Sequence, residues 1–227
     1  MMNASKAVDY GGEASLKRAL ILDGCGQSDA GGVVSDLSVN VLGALGAVAD
    51  VRVLHELKIA PCRACFACWV KTPGVCVNRD DGFKIACETV KSDLLILITP
   101  VVFGGYSSIL KKSFERILPI LTPFFKRIDG EVHHVLRYKR YPAIVAVGLA
   151  GGRDENGGKN RDSGENREDP ESPESEAVFS ALVAANAVNL GCVPNEAVFL
   201  YDSDDENLKA EKLRSAFGRV MAKRGLL

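Results

Sequence analysis

The chain has 227 residues, of which 47% are hydrophobic and 25% charged, and its formal net charge is -1. That length and apolar share suit one domain with a sizeable core, and the near-neutral balance excludes a general attraction to nucleic acid or anionic lipid. No apolar run reaches the length of a membrane span. Residues 1–17 are polar and rich in small residues, without the apolar centre of a secretory signal, so they read as a disordered extension of a cytoplasmic protein.

Strand and helix patterns alternate from there. Residues 18–23 (RALILD) form a short apolar run that ends in a glycine-containing loop. Val34, Leu37, Val41 and Leu45 follow at helical spacing, and 51–57 shows partial strand alternation. A cysteine-rich segment comes next. Residues 80–91 read as a helix opened by Asp80 and Asp81, with Phe83, Cys87 and Val90 on one face. The continuous apolar runs 94–99 (LLILIT) and 143–148 (AIVAVG) are the signature of strands buried on both faces. Residues 108–118 between them carry Leu110, Phe114 and Ile117 on one helical face. An apolar helix at 177–190 stops at Gly191, a fifth strand covers 197–201, and Leu213, Phe217 and Val220 mark a closing helix. Five strands alternating with helices predict a doubly wound parallel α/β sheet with helices on both faces, here taken in the order 2-1-3-4-5.

Two stretches interrupt the pattern. Residues 119–142 are aromatic and basic, with a turn at Asp129 and Gly130. Residues 153–176 lack any aliphatic or aromatic side chain, which predicts a mobile polar loop.

In an open parallel sheet, ligands bind beyond the carboxyl ends of the strands. Three loops should meet there. The first, 24–32 (GCGQSDAGG), offers Gly24, Cys25, Gly26, Gln27 and Ser28 at a helix start, where backbone N–H groups favour a phosphate. Without a ligand the same loop is an ordinary strand-to-helix turn. The second, 99–108 (TPVVFGGYSS), leaves the strand at Pro100. Gly104 and Gly105 allow close backbone approach to a flat ring, and Phe103 and Tyr106 are placed either to stack on it or to fill the core. The third begins at 148–152 (GLAGG) and includes Gly151.

The chain has seven cysteines, and four of them, Cys62, Cys65, Cys68 and Cys76, lie within fifteen positions. In a reducing compartment such crowding indicates metal or redox work rather than disulfides. Thiolates at this spacing suit tetrahedral zinc or an iron–sulfur cluster; the alternative is four reduced thiols packed around Trp69. Cys87 and Cys192 read as structural. His133 and His134 are adjacent, so on a strand they face opposite sides, and one of them is a candidate to reach a substrate. Arg137, Lys139 and Arg140 are candidates to attract a cofactor phosphate.

The runs APCRACFACWVKTPGVCVNRDDG, SDLLILITPVVFGGYSSILKKSFERI and GEVHHVLRYKRYP resemble the NADPH-dependent FMN reductase family, and within it the iron–sulfur flavoprotein group and its cluster-free relatives. The resemblance covers about residues 18–152 and implies a flavodoxin-like fold over 18–227, non-covalent FMN, and homodimers or homotetramers. It implies FMN ring contacts from Pro100, Val101, Val102, Phe103 and Gly104, and a phosphate held at 24–28. It also implies a [4Fe–4S] cluster on Cys62, Cys65, Cys68 and Cys76. The loop after the first strand departs from the Gly-Ser-Pro-Arg style of the family, having neither Pro nor Arg.

The function expected is an FMN oxidoreductase that passes hydride or electrons between a reduced donor, NADPH, NADH or a protein carrier, and a second acceptor. The flavin supplies the chemistry, so no catalytic side chain is assigned. The rival expectation is a non-catalytic flavodoxin-like module stapled by zinc.

Overall fold

The structure, a computed structural model, describes residues 17–26, 29–150 and 173–227. Its elements in chain order are β1 (Lys17–Asp23), α1 (Asp29–Ala44), β2 (Ala47–Val53), α2 (Ala67–Val70), α3 (Asp81–Lys91), β3 (Leu94–Pro100), α4 (Ser108–Glu115), β4 (Leu121–Ile128), β5 (Glu131–Leu136), β6 (Ala143–Ala150), α5 (Pro173–Leu190), β7 (Asn195–Tyr201) and α6 (Glu206–Arg224). Five strands form one parallel sheet in the order β2-β1-β3-β6-β7, and β4 and β5 pair separately. With β6 and β7 as the fourth and fifth sheet strands, this is the 2-1-3-4-5 order expected from the sequence.

The apolar runs divide between two cores because successive side chains of a strand point to opposite faces. Leu20, Leu22, Leu95, Leu97, Ile144 and Ala146 pack beneath Ile85, Leu110, Phe179 and Val183. Ala19, Ile21, Leu94, Ile96, Val145 and Val147 pack beneath Val34, Val41, Leu42, Leu213, Phe217 and Val220. The central strands β3 and β6 are buried along almost their whole length, so neither face could carry polar residues. Among the described residues no helix is long and apolar enough to cross a membrane.

Several boundaries differ from the sequence reading. The second strand starts at Ala47, not 51, because Gly46 at φ 76° ends the preceding turn; residues 54–56 are a single 3-10 turn. The last sheet strand begins at Asn195 rather than 197, and α4 ends at Glu115 before a 3-10 turn at Leu118–Ile120. Helix α5 begins at Pro173, so the last four residues of the expected polar loop 153–176 are helical. Proline at the first helical position loses no hydrogen bond, and Glu174 and Glu176 favour the positive end of the helix. The aromatic stretch 119–142 is mostly a β-hairpin. Ile128 pairs with Glu131 across Asp129 and Gly130, both at positive φ, as a two-residue Asp-Gly hairpin turn requires. Lys17, counted with the expected extension, begins β1; residues 1–16 of that extension and 153–172 of the expected loop lie outside the described residues.

Candidate functional site

All five sheet strands are parallel, so β1, β3 and β6 end on the same edge of the sheet. Their loops are joined by hydrogen bonds. Gly24 N–H donates to the Ile98 carbonyl at 2.8 Å. Ser107 Oγ donates to the Gly24 carbonyl at 2.6 Å and accepts from Leu110 N–H at 3.2 Å, capping α4. Ser107 N–H in turn donates to Thr99 Oγ1 at 2.9 Å. Gly24 is required here: a Cβ at that position would lie 2.6 Å from Leu110 Cβ.

The first loop is organised from below by Asp23. Its buried carboxylate accepts from Cys25 N–H at 2.9 Å and from Ser35 Oγ at 3.2 Å. The Cys25 N–H is thereby already engaged. Burial, with Asp23 beside it, pushes the Cys25 thiol up, so it is held protonated. Gly26 adopts φ 71°. Gln27 and Ser28, the predicted side-chain donors, lie outside the described residues, as does Gly151.

The second loop is a tight hairpin. Val102 and Gly105 exchange both backbone hydrogen bonds, at 3.0 and 2.9 Å. The two residues between them, Phe103 and Gly104, have φ of 49° and 69°. A positive φ is costly for a bulky side chain, and Phe103 is 74% exposed on top of that strain. An exposed aromatic held in an unfavourable conformation at a ligand-binding edge is a candidate ring contact. Pro100 is half-buried at the strand end, Val101 is buried with its N–H on the Leu149 carbonyl, and Val102 is exposed beside Phe103. The open side of Gly104 is filled by α5, for its Cβ would meet Val178 at 2.7 Å. Tyr106 takes the core option: it is buried against Phe114 and Phe179, with Asn186 donating to its hydroxyl at 3.2 Å.

The cysteine loop leaves the end of β2. Cys62, Cys65, Cys68 and Cys76 line one cavity, together with Arg63, Phe66, Val77, Asn78, Arg116 and Leu118. Burial pushes the Cys68 thiol up, and its neighbours Cys76, Cys62 and Cys65 add to the effect. Among the described residues no three His, Cys, Asp or Glu side chains stand as ligands of a single metal ion. The four thiols share one cavity. Cys192 is buried and Cys87 partly buried, neither on this cavity.

Sequence reasoning missed Arg116, the largest fully buried side chain among the described residues. Its guanidinium bonds both Asp80 carboxylate oxygens at 2.7 and 2.8 Å. It also donates to the carbonyls of Ala60 at 2.6 Å and Asn78 at 3.3 Å, and to Cys76 Sγ at 3.4 Å. Burial works to raise the Asp80 carboxyl, but Arg116 and the N–H groups of Ala60 and Gly82 outweigh it and hold it below the usual range. The signal available in sequence was faint: Asp80-Asp81-Gly82, where a Cβ on Gly82 would lie 3.2 Å from the Arg116 guanidinium.

The remaining candidates go to structure. His133 is buried on Asn189 at 2.9 Å, and His134 bonds the Thr122 carbonyl at 2.9 Å. The His134 ring lies between Trp69 and Phe125, and Phe66 stacks on Trp69, so aromatic rings join the cysteine loop to the hairpin. Arg137 donates to the carbonyls of Pro119 and Leu121, and Arg140 pairs with Asp93; Lys139 is exposed.

Comparison with known proteins agrees with this architecture. No family model matches the chain. An iron–sulfur flavoprotein of Archaeoglobus fulgidus is 27% identical over 180 residues, covering 79% of each chain. Among solved structures, an FMN-dependent NADH-azoreductase from Bacillus anthracis in complex with FMN has a TM-score of 0.54 at 15% identity, covering 90% of this chain and 99% of its own. An NAD(P)H:quinone oxidoreductase from Methanothermobacter marburgensis has a TM-score of 0.57 at 15% identity, covering 89% and 96%. The chain has the flavodoxin-like α/β fold, and the resemblance to the iron–sulfur flavoprotein group read from its sequence holds.

Proposed function

We propose that the chain is a cytoplasmic, homo-oligomeric FMN-dependent oxidoreductase that moves hydride or electrons from NADPH, NADH or an electron carrier to a second acceptor. The observation that carries this reading is the joined pair of loops at the carboxyl edge of the sheet. Ser107 ties Gly24 to the hairpin loop, and that hairpin holds Phe103 exposed at positive φ. Ligands bind at this edge of doubly wound sheets, and the solved neighbours include an FMN complex.

In this reading Gly26, Gln27 and Ser28 hold the phosphate on a turn that Gly24 and Cys25 shape, their own N–H groups being taken by Ile98 and Asp23, while Pro100, Val101, Val102, Phe103, Gly104 and Gly105 flank the ring, with Gly151 nearby. Bound FMN supplies hydride and electron transfer; the protein supplies binding, orientation and electronic tuning. Backbone N–H groups and the start of α1 favour an anion. Thr99 Oγ1, held between Ser107 N–H and the Pro100 carbonyl, fixes the ring loop on the strand end.

The cysteine cavity is read as a [4Fe–4S] site on Cys62, Cys65, Cys68 and Cys76. Four soft thiolates on one short loop suit iron and sulfide. A cubane takes one thiolate on each of its four irons, and four thiols line this one cavity. The two sites are linked by α4, with Ser107 at its start and Arg116 just past its end, about 14 Å apart along a helix axis.

The test is titration of apo-protein with FMN and FAD, followed by anaerobic turnover with NADPH and NADH. The reading expects FMN to bind more tightly than FAD and one nicotinamide to reduce it. Absence of flavin binding would overturn it.

A further inference from the structure

Loop 61–77 carries all four thiols yet has little regular structure, only the single turn of α2. Its shape is set at its neck. On one side Lys58 N–H donates to the Asp81 carboxylate at 3.0 Å, and Ala60 N–H to Asp80 at 2.9 Å. On the other, Asp80 caps α3 by accepting from Gly82 N–H at 3.1 Å. Arg116 closes this neck, joining the Ala60 carbonyl before the thiols to the Asn78 carbonyl after them, with Asp80 as its counter-charge. The same guanidinium carries a donor to Cys76 Sγ and lines the thiol cavity. A guanidinium reaches a carboxylate, two carbonyls and a sulfur at once because its donors are fixed in a planar fork; an ammonium cannot.

We propose that Arg116 is the positioning residue of the thiol cavity: it closes the neck of loop 61–77 and sets a fixed positive charge against Cys76 Sγ, which raises the reduction potential of the cluster held there. The second half rests on the cluster reading given above; the first does not. Hydrogen bonds to the sulfurs and the net charge around a cluster set its potential, and a buried cation favours the more negative, reduced form. Arg63 also lines the cavity but is exposed, where solvent screens it.

The test uses the full chain with Arg116→Gln and Arg116→Lys. Hydrogen exchange of the apo-protein reads the neck. The amides of Ala60, Gly74 and Gly82, bonded to Asp80, Cys68 O and Asp80, are expected to exchange at least tenfold faster in both variants. The amides of β3 and β6 report that the fold is retained. Anaerobic reconstitution and redox titration read the charge. Arg116→Gln is expected to lose most iron uptake and to shift any remaining cluster to a more negative potential. Arg116→Lys, which keeps a charge, is expected to stay closer to wild type in potential. Unchanged exchange in both variants would overturn the positioning role. A cluster potential indifferent to Arg116→Gln and Arg116→Lys would overturn the charge role. If wild type takes up neither iron nor sulfide while the neck amides still respond, the cluster reading and the charge role fail together and the positioning role stands.

Discussion

Ser107 Oγ and the Gly24 carbonyl lie 2.6 Å apart although 83 residues separate them in sequence. One hydroxyl thus caps α4 and ties the loop after β1 to the loop after β3. Replacing Ser107 by Ala removes both, and cap loss alone costs about 1 kcal/mol. The expected outcome is a modest fall in denaturation midpoint and roughly tenfold weaker FMN binding, read by flavin fluorescence. Gly24→Ala, with Leu110 in the way, should be worse on both counts.

Phe103 gives a prediction in which stability and binding move in opposite directions. Glycine accepts positive φ without penalty, so Phe103→Gly should stabilise the chain by up to about 1 kcal/mol while weakening flavin or nicotinamide binding. Urea denaturation and FMN titration check the two halves. A variant that is less stable yet binds FMN as before would remove the functional explanation for this strained aromatic.

The hairpin bears on assembly. Phe124 is 69% exposed on β4, with Phe125 and Val132 also exposed nearby, and exposed aromatics are enriched at contact surfaces. Phe124→Asp should shift sedimentation toward monomer without altering the fold, since no core contact is lost. Unchanged sedimentation and FMN affinity would mean that the hairpin contributes to neither interface nor pocket.

Acid stability follows from Asp204 as well as Asp80. Burial works to raise the Asp204 carboxyl, but Lys212 and the Tyr201 N–H outweigh it and hold it low. A carboxyl whose folded value is depressed binds fewer protons folded than unfolded, so stability rises with pH in that window. The contribution is full above the unfolded value near 4 and disappears as pH falls through the folded one. Asp204→Asn should lower stability at pH 6 and flatten its decline from pH 5 to 2 in denaturant titrations. A parallel decline would contradict the assignment.

The sequence made the sheet legible because β3 and β6 are apolar runs of strand length, and strand alternation with helices leaves few topologies. The carboxyl-edge loops were legible by the same logic. The hairpin was half legible: its Asp129-Gly130 turn was visible, but its strands, with only His133 and Leu121 buried, lack a clear two-residue alternation. Arg116 was illegible because its partner Asp80 lies 36 residues away, and nothing local distinguishes a buried arginine from a solvated one at the end of a short helix. The strain at Phe103 was hidden too, since a Phe-Gly pair in a glycine-rich loop reads as a loose turn.

Both cofactors are read at once in the absorption spectrum of freshly purified protein kept without oxygen, with flavin, iron and sulfide assayed on the same sample. An FMN protein with a [4Fe–4S] cluster will show flavin bands in the blue, a broad brown shoulder beneath them, and about four iron and four sulfide per chain. A colourless protein that takes up neither FMN nor iron on anaerobic reconstitution would contradict that reading.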